Sequence, residues 1–135
     1  MPSVGRKFLV AGKGGLNLTH SEPLDSFITR YGEPIERWRD LLAEFSPSDL
    51  REWSHRRGIE TFIGTSGRVF PETKQAAPLL RRWILRLRQQ GVQFRMRHRL
   101  IGLSRKGETQ TVTFLTTAGE SVIEAQAVIL ALGGA

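Results

Sequence analysis

The sequence predicts an α/β domain, which would be classed as α+β if its elements were judged in isolation. Three observations carry this expectation. Residues 127–132, Ala-Val-Ile-Leu-Ala-Leu, are apolar without alternation, the pattern of a strand buried on both faces of a parallel sheet. Residues 75–90 repeat apolar side chains at helical spacing soon after a strand-like run over 59–63. Residues 92–125 read instead as antiparallel strands joined by tight turns, an excursion from that sheet.

Taken in order, the chain opens on a glycine-rich loop over residues 5–21, in which Phe8–Ala11 forms a brief extended piece. A helical segment over 24–57 follows. Leu24, Phe27, Ile28 and Tyr31 have helical spacing and Gly32 stops that helix. Pro34 then sits in the first turn of a helix whose stripe is Ile35, Trp38, Leu41, Leu42 and Phe45. Ser46-Pro47-Ser48-Asp49 is a helix start, with Ser as N-cap, Pro at the first helical position and an acid three residues after the cap. That third helix turns Leu50 and Trp53 inward and ends before Gly58. Trp38 and Trp53 lie in no polar cluster and read as core.

Residues 59–90 form a strand, a loop and a helix. The loop is Gly64–Glu72, with turn chemistry at both ends. The helix over 75–90 places Ala76, Leu79, Leu80, Trp83, Ile84 and Leu87 on one face, with Arg81, Arg82, Arg86 and Arg88 largely on the other. Gly91 suits the position just past its end. Val92–Arg97 alternates apolar and polar residues as a half-buried strand does. Arg105–Glu108 turns the chain, and Thr117–Glu120 is a hairpin signal leading into a strand over 121–125. The terminal buried strand then stops at Gly133-Gly134.

Composition sets the outer limits. At 135 residues the chain suits one domain with a modest core. It has no Cys, hence no disulfide, thiolate metal site or cysteine nucleophile, and its three His are not paired at helical spacing, which argues against zinc. No apolar run approaches the roughly 20 residues of a membrane-spanning helix, and the first residues lack an apolar signal core, which together point to the cytoplasm. The net charge of +7 invites a non-enzymatic basic module that binds nucleic acid or another anionic partner. Its cations are dispersed and interleaved with acids, as in Glu33, Glu36, Arg37, Arg39, Asp40 and Glu44, so nucleic acid is the lesser expectation.

The residues richest in chemistry are Arg6-Lys7, then Gly12-Lys13-Gly14-Gly15, Asn17 and Thr19. Closely spaced glycines let consecutive N–H groups converge on an anion, and Lys13 adds a point charge. The loop fits neither Gly-x-x-x-x-Gly-Lys-Ser/Thr nor Gly-x-Gly-x-x-Gly. From the residues alone it is either a phosphate cradle or a glycine-rich surface turn.

Arg6-Lys7-x-x-x-x-Gly12-Lys13-Gly14-Gly15-x-Asn17-x-Thr19 resembles the second flavin-contacting loop of the BaiN-like NAD(P)/FAD-dependent oxidoreductases, two-dinucleotide-binding-domain flavoproteins. It is most similar to their branch of uncharacterised flavoproteins. Gly67-Arg68-Val69-Phe70-Pro71 and Ala127–Gly134 match two further family segments in order and approximate spacing. Where the family reads Arg-Cys and a final Asn, this chain has Gly15-Leu16 and His20, so any role of that Cys is absent.

The resemblance implies a partial FAD-binding Rossmann-like domain with a helical insertion and an antiparallel excursion, lacking its first βαβ unit. It implies an oxidoreductase that binds FAD through the loop over 12–15 and the strand end at 133–134, acts on a small-molecule substrate and takes electrons from NAD(P)H. The implied cofactor-binding residues are Arg6, Lys7, Gly12, Lys13, Gly14, Gly15, Asn17, Thr19, Ala131, Gly133 and Gly134. His20, Arg68 and Phe70 are substrate-side candidates, and no catalytic residue is assigned. The family's Gly-x-Gly-x-x-Gly and ribose-binding acid are not found in the sequence. The chain therefore reads as an internal piece of a longer flavoprotein, inactive when isolated.

Overall fold

The computed structural model describes residues 4–12 and 14–133. It is mixed α/β and divides into two units, residues 4–93 and residues 94–133.

The first unit begins with α1 (Arg6–Ala11), where an extended piece is expected over Phe8–Ala11. A four-residue apolar run is too short to reveal its period, and the neighbours decide it. Gly5 starts the helix at φ 72°, its carbonyl accepts from the Leu9 N–H (3.1 Å), and the Phe8 ring packs edge-on against Trp83 at 6.3 Å. Three helices of the central segment follow the predicted order: α2 (Leu24–Thr29), α3 (Ile35–Glu44) and α4 (Pro47–His55). Pro34 stands at the N-cap of α3, just outside its first turn.

The start of α4 is a complete capping box. The Asp49 N–H donates to Ser46 Oγ (3.1 Å), and the Ser46 N–H donates to the Asp49 carboxylate (2.8 Å). Such a cap contributes about 1 kcal/mol. Hydrogen bonds from Ser46 hold the Asp49 carboxyl below its ordinary value of 3.8. Glu22 is likewise held below 4.5, first by the Arg30 hydrogen bond and then by the Arg30 charge.

Groups whose pKa is lowered by folding stabilise the fold above their unfolded pKa, and lose that contribution as pH falls through the folded value. Stability is therefore expected to fall as pH drops below about 4.5 and through the lowered values of Glu22 and Asp49. Denaturant midpoints measured from neutral to acid pH check this. The Glu22→Gln, Asp49→Asn double variant should show a flatter acid limb, and an unchanged limb would refute the assignment.

Strand β2 (Thr61–Ile63) matches the expected strand at its C-terminal end. The following loop is a correction: Arg68–Pro71 is a strand, β3, at the centre of a three-stranded antiparallel sheet. On one side β3 pairs with β2, setting Phe62 opposite Phe70. On the other it pairs with β1 (Thr19–His20), a two-residue strand inside the glycine-rich stretch. Val69 and Pro71 face inward and are buried, which places Arg68 and Phe70 on the opposite face.

Helix α5 (Ala76–Gln89) agrees with expectation within a residue at each end. It buries Ala76, Leu79 and Leu80, and Leu79 with Leu16, Ile59 and Ala76 makes the core. Burying a side chain such as Leu79, 1% exposed, contributes about 2 kcal/mol. Trp53 meets Trp83 edge-on at 5.2 Å, and Trp38 packs on Tyr31 at 4.7 Å, so both tryptophans serve packing.

The strand expected over Val92–Arg97 does not form. Helix α5 ends in a Schellman motif, in which the Val92 N–H donates to the Leu87 carbonyl (3.0 Å) and the Gly91 N–H to Arg88 (3.0 Å). Gly91 takes φ 86° to allow this, and a second positive φ at Arg97 (59°) turns the chain again.

The second unit is an antiparallel meander, β4 (Arg99–Lys106), β5 (Thr109–Thr116) and β6 (Gly119–Ala125). The sequence reading missed β4 because a register shift between Leu100 and Gly102 breaks its alternation. Strand β6 begins two residues earlier than expected, at Gly119.

The buried parallel strand over 127–132 is also absent. Residues 127–133 have no regular structure, and Ile129 is 91% exposed. Both sheets among the described residues are antiparallel and neither offers this segment a partner, so its backbone groups have no ladder to join.

Candidate functional site

The site is built where the glycine loop meets β3. After α1 the Gly15 N–H donates to the Gly12 carbonyl (3.1 Å), closing a turn. The chain then runs antiparallel to residues 67–74, with the Leu16 N–H on the Lys74 carbonyl, Leu18 on Val69 and Ser21 on Gly67, each at 2.8 Å. The segment that begins Gly12 and the segment Gly67–Pro71 are thus adjacent in space. Leu16 and Thr19 point inward and are buried, while Asn17 is exposed.

The three described loop glycines differ in what requires them. A Cβ on Gly12 would stand 2.6 Å from Ala76 Cβ, so its bare backbone permits α1 to approach the start of α5. Gly15 has φ 118°, a conformation side chains rarely adopt. Gly14 differs: it is exposed, and a Cβ there would meet no described residue beyond its chain neighbours within 4 Å. No contact among the described residues accounts for a missing side chain at Gly14, whereas a ligand lying against the backbone would.

Beside Gly15 stands an aromatic face. A Cβ on Gly15 would lie 3.7 Å from the Phe70 ring, which stacks on Phe62 at 5.8 Å. Lys74 Nζ lies 5.7 Å from the centre of the Phe62 ring. Arg68 shares this face of the strand, is exposed, and makes no ion pair among the described residues. Phe62 and Lys74 were not identified from the sequence. Only the register of β2 on β3 brings Phe62 to Phe70, and Lys74 is marked only by its φ of 56°.

His20 stands opposite Arg68 in the sheet. Its Nε2 lies 2.9 Å from the Ser66 carbonyl, and its Nδ1 accepts from the Glu22 N–H (3.2 Å). A neutral ring with its proton on Nε2 satisfies both contacts. The Glu22 carboxylate at 3.4 Å from Nδ1 is the weaker influence, because the backbone N–H needs that nitrogen's lone pair. Gly67 takes φ 78° beneath this ring, where a Cβ would come within 2.6 Å of it. His20 thus clips the loop over 64–67 in place.

Asn17, Thr19 and His20 line one cleft of about 380 Å³, walled by Phe27, Tyr31 and Phe45. Asn17 also borders a second cleft of about 380 Å³, whose remaining lining is apolar and includes Phe8, Leu18, Trp53 and Trp83. Arg6 and Lys7 are exposed on α1 and bond to no loop residue among those described. Ala131 and Gly133 belong to the other unit, exposed and without regular structure, with Gly133 at φ 83°. Lys13 and Gly134 lie outside the described residues. No described helix is long and apolar enough to cross a membrane.

Comparison with known proteins completes the picture. A family model described as the HI0933-like protein Rossmann domain matches residues 1–135. The chain is also 32% identical over 134 residues to a 3-dehydro-bile acid delta(4,6)-reductase of Clostridium scindens, an alignment covering 98% of this chain. It spans 31% of that relative's length.

Proposed function

Because the chain belongs to the HI0933-like Rossmann-domain family, we propose that it builds part of the FAD cleft of a cytoplasmic, flavin-dependent oxidoreductase. The observation that carries this is Gly14, an exposed backbone position whose missing side chain the protein's own packing does not require. When bound, the flavin supplies the redox chemistry, and the protein supplies binding, orientation and electrostatics.

The Gly14 N–H is offered to the flavin's phosphates or ribityl chain, while the Gly15 N–H closes the turn on the Gly12 carbonyl and Gly12 keeps the loop against α5. Lys13, with Arg6 or Lys7, offsets negative charge. Asn17 hydrogen-bonds near the ring system and Thr19 shapes the backbone behind it. Ala131, Gly133 and Gly134 are assigned to flavin binding by the family resemblance alone. On the substrate side, Arg68 holds an anionic group, Phe70 forms an apolar wall, and His20 positions the loop over 64–67 that leads into Arg68.

The substrate is an unsaturated or carbonyl compound reduced with electrons from NAD(P)H. The relative's name, a reductase of a bile acid, agrees with that class, and the apolar cleft beside Asn17 suits a substrate of low polarity. The test is spectroscopic. The complete protein that contains this chain is expected to purify with flavin absorbance and to release FAD on denaturation. A protein free of flavin that gains none on FAD titration would refute the proposal. Residues 1–135 alone are expected to bind FAD weakly and to catalyse no reduction.

A further inference from the structure

Four arginines crowd one cleft that shares no lining residue with the glycine loop. The cleft has a volume of about 580 Å³ and is lined by Arg56, Arg57, Arg82 and Arg86, with Gly58 among the other lining residues. No lining residue is acidic. Outside the lining, Glu52 pairs with Arg56 at 2.7 Å.

Part of this crowding has a structural role. Arg57 donates to the Trp53 carbonyl (2.7 Å), an orphan carbonyl in the last turn of α4, and Arg82 donates to the Arg57 carbonyl (2.7 Å) in the turn that follows. A guanidinium has five N–H donors, however, and each of these bonds uses one. Arg57 Nε is buried without a partner, and Arg86 has no ion pair among the described residues. Burial, followed by the neighbouring charges of Arg56 and Arg86, pulls the Arg57 guanidinium below its ordinary pKa. Tying down the end of α4 and the turn after it therefore explains two hydrogen bonds and leaves the accumulated charge unexplained.

The geometry is also held in advance. The Arg57 guanidinium lies 3.9 Å over the Trp53 ring, and Arg82 is fixed above Gly58, where a Cβ would stand 2.2 Å from its Nη1. Gly58 takes φ 65°, so a side chain is disfavoured there on both counts. Planar, anchored guanidinium groups suit tetrahedral oxyanions, to which they give paired, charge-assisted hydrogen bonds.

We propose that the cleft formed by Arg56, Arg57, Arg82 and Arg86 binds the phosphoryl group of a small molecule, independently of the flavin. The source is either inorganic phosphate or a nucleotide. The probes are inorganic pyrophosphate and ADP, titrated into the full chain at constant ionic strength, with tryptophan emission as readout because Arg57 covers Trp53.

Saturable binding is expected. Arg86→Gln should weaken it about tenfold or more, since it removes a charged donor while breaking no capping bond. Arg37→Gln, an equal loss of charge on α3 outside the cleft, should leave it unchanged. ADP binding no tighter than pyrophosphate would identify phosphate alone as the ligand group. Tighter ADP binding, still sensitive to Arg86→Gln, would identify a nucleotide. Absence of saturation, equal affinities in wild type and Arg86→Gln, or preference for a polyglutamate peptide would each overturn the proposal.

Discussion

Replacing Gly14 with leucine is expected to weaken FAD binding about a hundredfold, which corresponds to about 2.7 kcal/mol, while leaving the protein as stable as before. The two halves of this expectation come from one observation. A Cβ at Gly14 meets no atom of the described residues beyond its chain neighbours within 4 Å, so these residues leave room for a side chain. Exposed substitutions of that kind usually change stability by no more than about 0.5 kcal/mol. If a flavin lies against that backbone, a leucine occupies its space. FAD titration and denaturant unfolding of the complete protein, done on the same preparation, separate the two effects. Unchanged FAD affinity would reduce Gly14 to an ordinary turn residue and remove the main support for the flavin assignment.

Gly12→Ala should behave in the opposite way, lowering stability by about 2 kcal/mol through overpacking. Its added methyl would lie 2.6 Å from Ala76 Cβ, forcing α1 away from α5 and exposing Phe8 and Leu9, which pack on the core. Gly12 has φ −83°, a value alanine adopts freely, so backbone strain contributes nothing. The steric origin makes a rescue possible. Ala76→Gly removes the opposing methyl, and the double variant should recover at least half of the loss. A double-mutant cycle with coupling of about 1 kcal/mol or more confirms the contact, and additive effects would refute it. Similar residues two positions apart thus have separable duties, Gly12 in packing and Gly14 in approach to a ligand.

Much of the helical scaffold was legible in the sequence because its signals are local. The capping box at Ser46 and Asp49, the stripe of α5 and the glycine after it are set by neighbours within about one or two turns. The misreadings share a different cause. Val92 looked like a strand residue, but its N–H is taken by Leu87 in the helix cap. Arg68–Pro71 looked like a loop, but β1 and β2 supply ladders on both its sides. The site shows the same division: Gly14, Gly15, Asn17 and Phe70 could be named from motifs, whereas Phe62 and Lys74 join them only through sheet register.

By itself the sequence determined the mixed α/β class, the family, and the residues with chemistry to offer. Only the tertiary structure decided that the loop from Gly12 and the strand from Arg68 lie side by side. It also decided that His20 has both ring nitrogens committed, and that the apolar run over 127–132 has no sheet to enter among the described residues. The physical reason is the range of the interactions. Caps, helical stripes and tight turns are satisfied by residues close in the chain. A strand's hydrogen bonds and a glycine's open side are defined by what distant residues bring to them.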